Sequence, residues 1–303
     1  MTTSRPARGV ARWVIETRQR FKDKSRGSRR DFARSASSAA TVKPVIRATP
    51  LRKFAAWCVH FYTALGQVCA VAMVVSIFQG DARGFQSAFF WMIVATIIDA
   101  TDGTFARKVG VKQVLPGFDG RRLDDITDFL TYTFLPLLLL WRAGTLPPGQ
   151  EAWLIFPLLA SAYGFCQTDI KTADGYFLGF PSLWNVVALY IYILGMPTWV
   201  NLAIVVVLSI LTFVPTRYLY PSQPGPLNRL ATILSVVWIA ALVPVIMGLA
   251  QLDAERVANP SQMSGLRLLA YGTLFYPIFY MVVSFWITLR MGRRGFGHTS
   301  HTA

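Results

Sequence analysis

The sequence predicts an all-α polytopic membrane protein of about eight transmembrane helices behind a basic tail. Three observations carry that prediction. Apolar runs recur from Ala56 onward between short polar connections, and 53% of the chain is hydrophobic with a mean hydropathy of +0.43. Charged residues make up only 15%, where a soluble domain usually carries about a quarter. The charge is also segregated: residues 1–53 hold fifteen Lys and Arg against Glu16, Asp23 and Asp31, so twelve of the fifteen net positive charges lie there. Such a tail suits anionic membrane lipid, and no nucleic acid partner is expected, because the body from Phe54 is nearly balanced.

Residues 1–53 read as a mostly disordered cytoplasmic tail, rich in Arg, Ser and Ala and without an apolar run long enough for a signal peptide. Ser28-Arg29-Arg30-Asp31-Phe32 resembles a twin-arginine export signal, yet the Ser35-Ala36-Ser37-Ser38 stretch after it is too polar to follow one. Residues 54–290 form the expected transmembrane domain. Its spans fall at 56–78, 85–101, 126–141, 152–167, 182–195, 199–215, 229–250 and 266–289, and residues 291–303 form a short cytoplasmic tail. Several spans are nearer 15 than 20 residues long, which is tolerable where their polar ends line a protein cavity. Basic residues in the leading tail, in 107–122, at Lys171, in 217–229 and in 290–294 all fall on one side. The positive-inside rule makes that side cytoplasmic, so both termini are expected inside a multi-pass inner membrane protein. Trp57, Trp91, Trp141, Trp153 and Trp199 lie near span ends and suit an interfacial aromatic belt.

Soluble hydrolase chemistry has little to build on. Cys58, Cys69 and Cys166 lie in or beside apolar runs without metal-like spacing and read as small core hydrophobes. His60, His298 and His301 are too scattered for a zinc site.

The acidic residues are concentrated instead. Six of only fifteen Asp and Glu, namely Asp99, Asp102, Asp119, Asp124, Asp125 and Asp128, fall within 99–128, and four of them, Asp99, Asp102, Asp124 and Asp128, sit at the cytoplasmic ends of the second and third spans. A carboxylate at the membrane boundary is costly and marks a functional site by default. On a helix, Asp99 and Asp102 lie about 60° apart and Asp124 and Asp128 about 40° apart, so each pair shares a face. Like charges so placed repel unless cations neutralise them. Hard oxygen ligands without His or Cys point to Mg²⁺ or Mn²⁺. Asp119 and Asp125 lie off the shared faces and read as solvated or helix-capping. Gly103 and Ala106 leave one face of the second span nearly bare, so a large ligand or another helix can approach, and Arg107 puts a guanidinium one turn beyond Asp102, suited to a phosphate or to holding a carboxylate.

Taken together, Asp99-x-x-Asp102-Gly103-x-x-Ala106-Arg107, twelve residues, then Gly120-x-x-x-Asp124-x-x-x-Asp128 resembles the signature of the CDP-alcohol phosphatidyltransferase family. The twelve-residue gap, the Val111-to-Gly120 segment, Gly164-Phe165-Cys166-Gln167-Thr168-Asp169 and Gly179-Phe180-Pro181-Ser182-Leu183-Trp184-Asn185 look like the bacterial branch that uses choline. The basic tail is longer than that branch leads one to expect. The resemblance implies a six-helix core and the transfer of a phosphatidyl group from CDP-diacylglycerol to choline, giving phosphatidylcholine and CMP. It implies that Asp99, Asp102 and Asp124 bind divalent metal, with Asp128 either touching a metal or serving as the catalytic base. It further implies that Asp102, Gly103, Ala106, Arg107 and Gly120 contact or make room for the CDP-diacylglycerol headgroup. Members are commonly homodimers, which this sequence by itself neither supports nor excludes.

The acceptor is less constrained by the residues themselves. A quaternary ammonium binds against aromatic faces, and Tyr132, Tyr176 and Trp184 lead the candidates for choline binding, with Phe129 and Tyr163 beside them and Asp169 or Asp174 as a distant anion. Serine would need a partner for its carboxylate, for which Arg121, Arg122 or Lys171 is available. An ion-coupled transporter, the reading from a different class, would spread acidic residues through several helices near the bilayer midplane. This chain gathers them in one boundary segment.

Overall fold

The computed structural model describes residues 49–167, 172, 175–219, 226–258 and 263–292. Nearly all of the basic tail, the C-terminal tail, His298, His301, Asp169, Lys171 and Asp174 lie outside them. The architecture is all-α apart from one small strand pair.

Helix α1 spans Pro50–Gln79 and α2 spans Ala82–Val109. The sequence marks both ends of each. Thr49 caps α1 by accepting from the Arg52 N–H, Pro50 sits in the first turn where a missing N–H costs nothing, and Gly80 closes the helix at φ 73°. One residue later Asp81 caps α2 through the Gly84 N–H at 2.7 Å, and Gly110 ends it at φ 71°. A connection this short makes α1 and α2 an antiparallel hairpin. Their buried sides are built from small and polar residues among larger ones, including Ala56, His60, Thr63, Gly66, Cys69 and Ala70 on α1 and Gly84, Ala88, Ala95 and Asp102 on α2. Small side chains let helix backbones approach closely, which is how membrane helices associate. Phe61, Val68, Val71, Val75 and Phe78 on the other side of α1 stay exposed, as a lipid-facing stripe requires.

After the short α3, Val111–Val114, comes α4, Gly120–Asp128, followed without a break by a π-helical segment, Phe129–Phe134, and α5, Leu135–Arg142. Pro136 explains the interruption. It has no N–H to give, and its ring crowds the carbonyl four residues back, that of Tyr132. The chain widens to π geometry there, closing with the Leu135 N–H on the Leu130 carbonyl.

A 3₁₀ turn, Glu151–Leu154, leads into α6, Ile155–Cys166; α7 is Trp184–Leu194 and α8 is Thr198–Phe213. Seven of the eleven residues of α7 are buried, among them Trp184 and the run Ala188 to Ile193, so this helix is apolar all round because it runs through the centre. Strands β1, Tyr176–Leu178, and β2, Arg217–Leu219, pair antiparallel. The outer side of β2 is satisfied by hydroxyls of the last helix, with Arg217 N–H on Thr288 Oγ1 at 2.7 Å and Leu219 N–H on Ser284 Oγ at 3.3 Å. That substitutes for a third strand. Helices α9, Pro226–Met247, α10, Leu249–Ala258, α11, Gly265–Gly272, and α12, Phe275–Gly292, complete the described chain.

Four stretches, Pro50–Gln79, Ala82–Val109, Leu227–Met247 and Gly265–Arg290, are long and apolar enough to cross a membrane. The apolar helices Glu151–Cys166, Trp184–Leu194 and Thr198–Phe213 are shorter. The Gly120–Arg142 stretch is helical throughout and carries its acidic residues in the first half. Two expectations about cysteine need correcting: Cys69 is buried, but Cys58 and Cys166 are exposed, facing outward from their helices.

Candidate functional site

The end of α2 and the start of α4 bring the aspartates together. Asp119 caps α4 by accepting from the Arg121 and Arg122 N–H groups at 3.2 and 3.3 Å, and its carboxylate also pairs with the Arg122 side chain at 3.3 Å. Asp125 lies 3.9 Å from Arg121 on the exposed side. These two are therefore the solvated, capping residues their spacing suggests. The opposite face of α4 turns Asp124 and Asp128 toward α2, and one carboxylate oxygen each from Asp99, Asp124 and Asp128 lies within 4.8 Å of the others. Asp102, only 6% exposed, sits beside this triad, near enough to both Asp124 and Asp128 to repel them. Among the described residues no Lys or Arg forms an ion pair with Asp102, Asp124 or Asp128.

Half-buried carboxylates this close repel one another strongly unless protons or cations intervene. The donor set is all oxygen, and it is the one group of three or more prospective ligands among the described residues. Its chemistry fits a hard divalent cation such as Mg²⁺ or Mn²⁺ better than zinc, which favours His and Cys.

Helix α1 forms a wall of the site that the sequence motif does not include. The Thr63 hydroxyl donates to Asp102 Oδ2 at 2.7 Å, and Tyr62 Oη lies 2.8 Å from Thr101 Oγ1. Gln67 donates to Thr127 Oγ1 at 2.9 Å, and a Cβ at Gly66 would overlap the Thr127 methyl. His60 packs its ring against Gly120, where an added Cβ would stand 2.6 Å from Cε1, and its Nε2 is buried without a hydrogen-bond partner. The space left by Gly120 is thus filled by His60 from the same chain. Trp57 and Phe118 flank that ring, Phe118 at 4.3 Å between centroids. The clue in the sequence was a row of polar residues, His60, Thr63 and Gln67, at spacings of three and four on one face of an otherwise apolar helix.

Around Gly103 there is room. A Cβ there would meet only the Arg107 guanidinium, at 3.3 Å. Ala106 packs on the cluster of Ala56, Val59, Val111 and Val114, so its small side chain serves helix approach. Arg107 is exposed and donates to Thr104 Oγ1 at 3.0 Å, its guanidinium reaching back past Gly103 on the same helix.

The aromatic candidates separate. Tyr132, in the π-helical segment, donates its hydroxyl to Asp99 Oδ2 at 2.8 Å and so belongs to the aspartate cluster. Tyr176, on β1, carries the Arg217 guanidinium 5.9 Å above its ring. Trp184 is 1% exposed, enclosed in the core, with its Nε1–H on Ser161 Oγ at 2.9 Å. Phe129 packs edge-on against Phe165, and Tyr163 tilts against Phe213.

No family model matches the chain. Curated relatives do. A phosphatidylcholine synthase of Pseudomonas aeruginosa is 37% identical over 212 residues, covering 66% of this chain and 88% of the relative. One from Legionella bozemanae is 43% identical over 155 residues, 50% of this chain and 70% of the relative. A third, from Borreliella burgdorferi, is 36% identical over 183 residues, 60% and 77% of the two chains. With a likeness of this extent, the chain belongs to the bacterial phosphatidylcholine synthase family.

Proposed function

We propose that this protein transfers the phosphatidyl group of CDP-diacylglycerol to choline, releasing CMP. The observation that carries the reading is the convergence of Asp99, Asp124 and Asp128 within 4.8 Å, with Asp102 beside them, in a chain similar to phosphatidylcholine synthases over 212 residues. Asp99, Asp102, Asp124 and Asp128 would hold Mn²⁺ or Mg²⁺. A bound divalent cation supplies charge neutralisation at the pyrophosphate and at the departing CMP.

The chain's own residues position the reactants and move the proton. Gly103 leaves space along α2 for the nucleotide, and Arg107, one turn on, offers a guanidinium to a phosphate oxygen. Asp128 accepts the choline hydroxyl proton as that oxygen attacks the phosphorus bearing diacylglycerol. A new P–O bond to choline forms while the bond from that phosphorus to the bridging oxygen breaks, and CMP leaves with the electron pair. Choline itself makes no strong hydrogen bond through its ammonium group, so aromatic faces are the fitting partners. The face of Tyr176 already attracts one cation, Arg217.

In this reading the protein crosses the inner membrane eight times, with six helices as the transferase core and both termini in the cytoplasm. The asymmetric placement of basic residues supports that orientation. Lipid substrate then enters sideways from the cytoplasmic leaflet, and choline enters from the cytosol. A homodimer is compatible with this arrangement.

The test is CMP release by purified protein in detergent with CDP-diacylglycerol and Mn²⁺, supplying choline, serine, glycerol 3-phosphate and inositol separately. Release with choline alone is expected. Release with a different acceptor would keep the transferase and overturn the choline assignment.

A further inference from the structure

The two α2 aspartates are each held by a hydroxyl from a different element. Thr63 of α1 donates to Asp102 Oδ2 at 2.7 Å, and Tyr132 of the π-helical segment donates to Asp99 Oδ2 at 2.8 Å. Both contacts are long-range in sequence, 39 and 33 residues apart. Thr63 and Asp102 are 7% and 6% exposed, so water cannot substitute for the hydroxyl.

Left alone, carboxylates crowded among other carboxylates rotate to move their oxygens apart. A donor fixed on one oxygen opposes that rotation and so holds the carboxylate's orientation relative to the cluster. A hydroxyl is well suited to the task, since it adds no charge to compete with a cation and has one proton to give. The aim of Tyr132 depends on local backbone form: Pro136 imposes π geometry over Phe129–Phe134, which sets the turn carrying Tyr132 apart from a continuous α-helix.

We propose that Thr63 and Tyr132 are positioning residues that orient the Asp102 and Asp99 carboxylates for divalent-cation binding, which places Tyr132 in the metal centre's supporting shell and outside a choline cage. This rests on the metal reading of the aspartates given above. Outer partners of metal ligands typically matter by 10–100-fold in affinity.

The experiment is a Mn²⁺ titration of the purified full-length protein, following free Mn²⁺ by electron paramagnetic resonance, for wild type, Thr63→Val, Thr63→Ser and Tyr132→Phe. Valine and phenylalanine keep shape and remove the hydroxyl; serine keeps the donor. The expected result is binding about tenfold or more weaker in Thr63→Val and Tyr132→Phe, with Thr63→Ser returned close to wild type. Turnover of the two weakened variants should also recover toward wild type as Mn²⁺ is raised, which a purely structural loss would not do. Should Thr63→Val fail to fold, Tyr132→Phe carries the test by the same readout. Wild-type affinity in both hydroxyl-free variants would overturn the positioning role while leaving the metal reading intact. Failure of the wild type itself to bind Mn²⁺ would overturn both, and so the two failures are distinguishable.

Discussion

The charged groups around Arg256 and those around Asp102 are satisfied in opposite ways. On the α7 and α10 side, Arg256 pairs with Asp253 at 3.6 Å and donates to the carbonyls of Tyr192 and Ile193, the last of which would otherwise be unpartnered at the C-terminus of α7. Gly195, at φ 56°, ends that helix and lets the guanidinium lie against it. Beside it Glu255 accepts from Gln251 at 2.7 Å and from Ser264 at 2.6 Å, tying α10 to the start of α11. Every charge there is answered by another protein group. Asp102, Asp124 and Asp128 form no ion pair with a Lys or Arg among the described residues, and hydroxyls donate to Asp102 and Asp99. A cluster that completes itself holds the fold; three carboxylates gathered without a Lys or Arg partner among the described residues suit the divalent cation proposed above.

That contrast can be broken from either side. The largest effect is expected for Asp128→Asn, which should lower turnover by about 10²–10⁴-fold. Its thermal stability in chelator should be unchanged or higher, because one repelling charge is removed. CMP release and a melting curve on the same sample check this; near-normal turnover would sink the base assignment.

Next comes Gly120→Ala. Its Cβ would stand 2.6 Å from the His60 ring, and overpacking of this kind costs about 1–3 kcal/mol. The companion change His60→Ala should recover part of that loss if the clash is the cause, which a double-mutant cycle in thermal unfolding measures.

Arg256→Ala probes the self-completed cluster. Removing a charged donor from two helix-end carbonyls should cost about 1.5–3 kcal/mol of stability, while turnover per folded molecule stays near wild type. A selective loss of turnover at unchanged stability would erase the distinction between the clusters.

The smallest effect is expected for Glu255→Gln. Hydrogen bonds from Ser264 and Gln251 hold the Glu255 carboxyl below its usual value of 4.5. A carboxylate with a depressed folded-state pKa stabilises above the unfolded value and loses that contribution as pH falls through the folded one. The slight difference in melting temperature between variant and wild type should therefore be present at neutral pH and be lost as the pH falls below 4.5 and through the depressed folded-state value.

The two clusters also differ in how far the sequence disclosed them. The gathering of the aspartates was legible because their spacings repeat on single helices, and the Asp119 cap followed from its place before Gly120. Local periodicity carries that information. Thr63, Gln67 and His60 were not assigned, since their partners lie 39 to 60 residues away and pairing at that range is decided by how helices pack. Tyr132 was singled out as an aromatic face, whereas its hydroxyl is what the structure uses. Pro136 was the sign, present in the sequence, that the helix after Asp128 could not continue regularly. The role of Arg256 was likewise hidden, because a helix C-terminus offers carbonyls only once α7 is placed beside α10. The strand pairing of Tyr176–Leu178 with Arg217–Leu219 joins two loops that polar composition alone marks as connections.

The central claim, that the aspartate cluster is a metal-dependent phosphatidyltransferase centre, is tested most directly by one assay. Purified full-length protein is stripped with EDTA, given CDP-diacylglycerol and choline, and assayed for CMP before and after Mn²⁺ is restored, beside Asp124→Asn. The account predicts no release in EDTA, recovery with Mn²⁺ in the wild type, and none in Asp124→Asn at any Mn²⁺ concentration. Undiminished release in EDTA, or from Asp124→Asn, would contradict it.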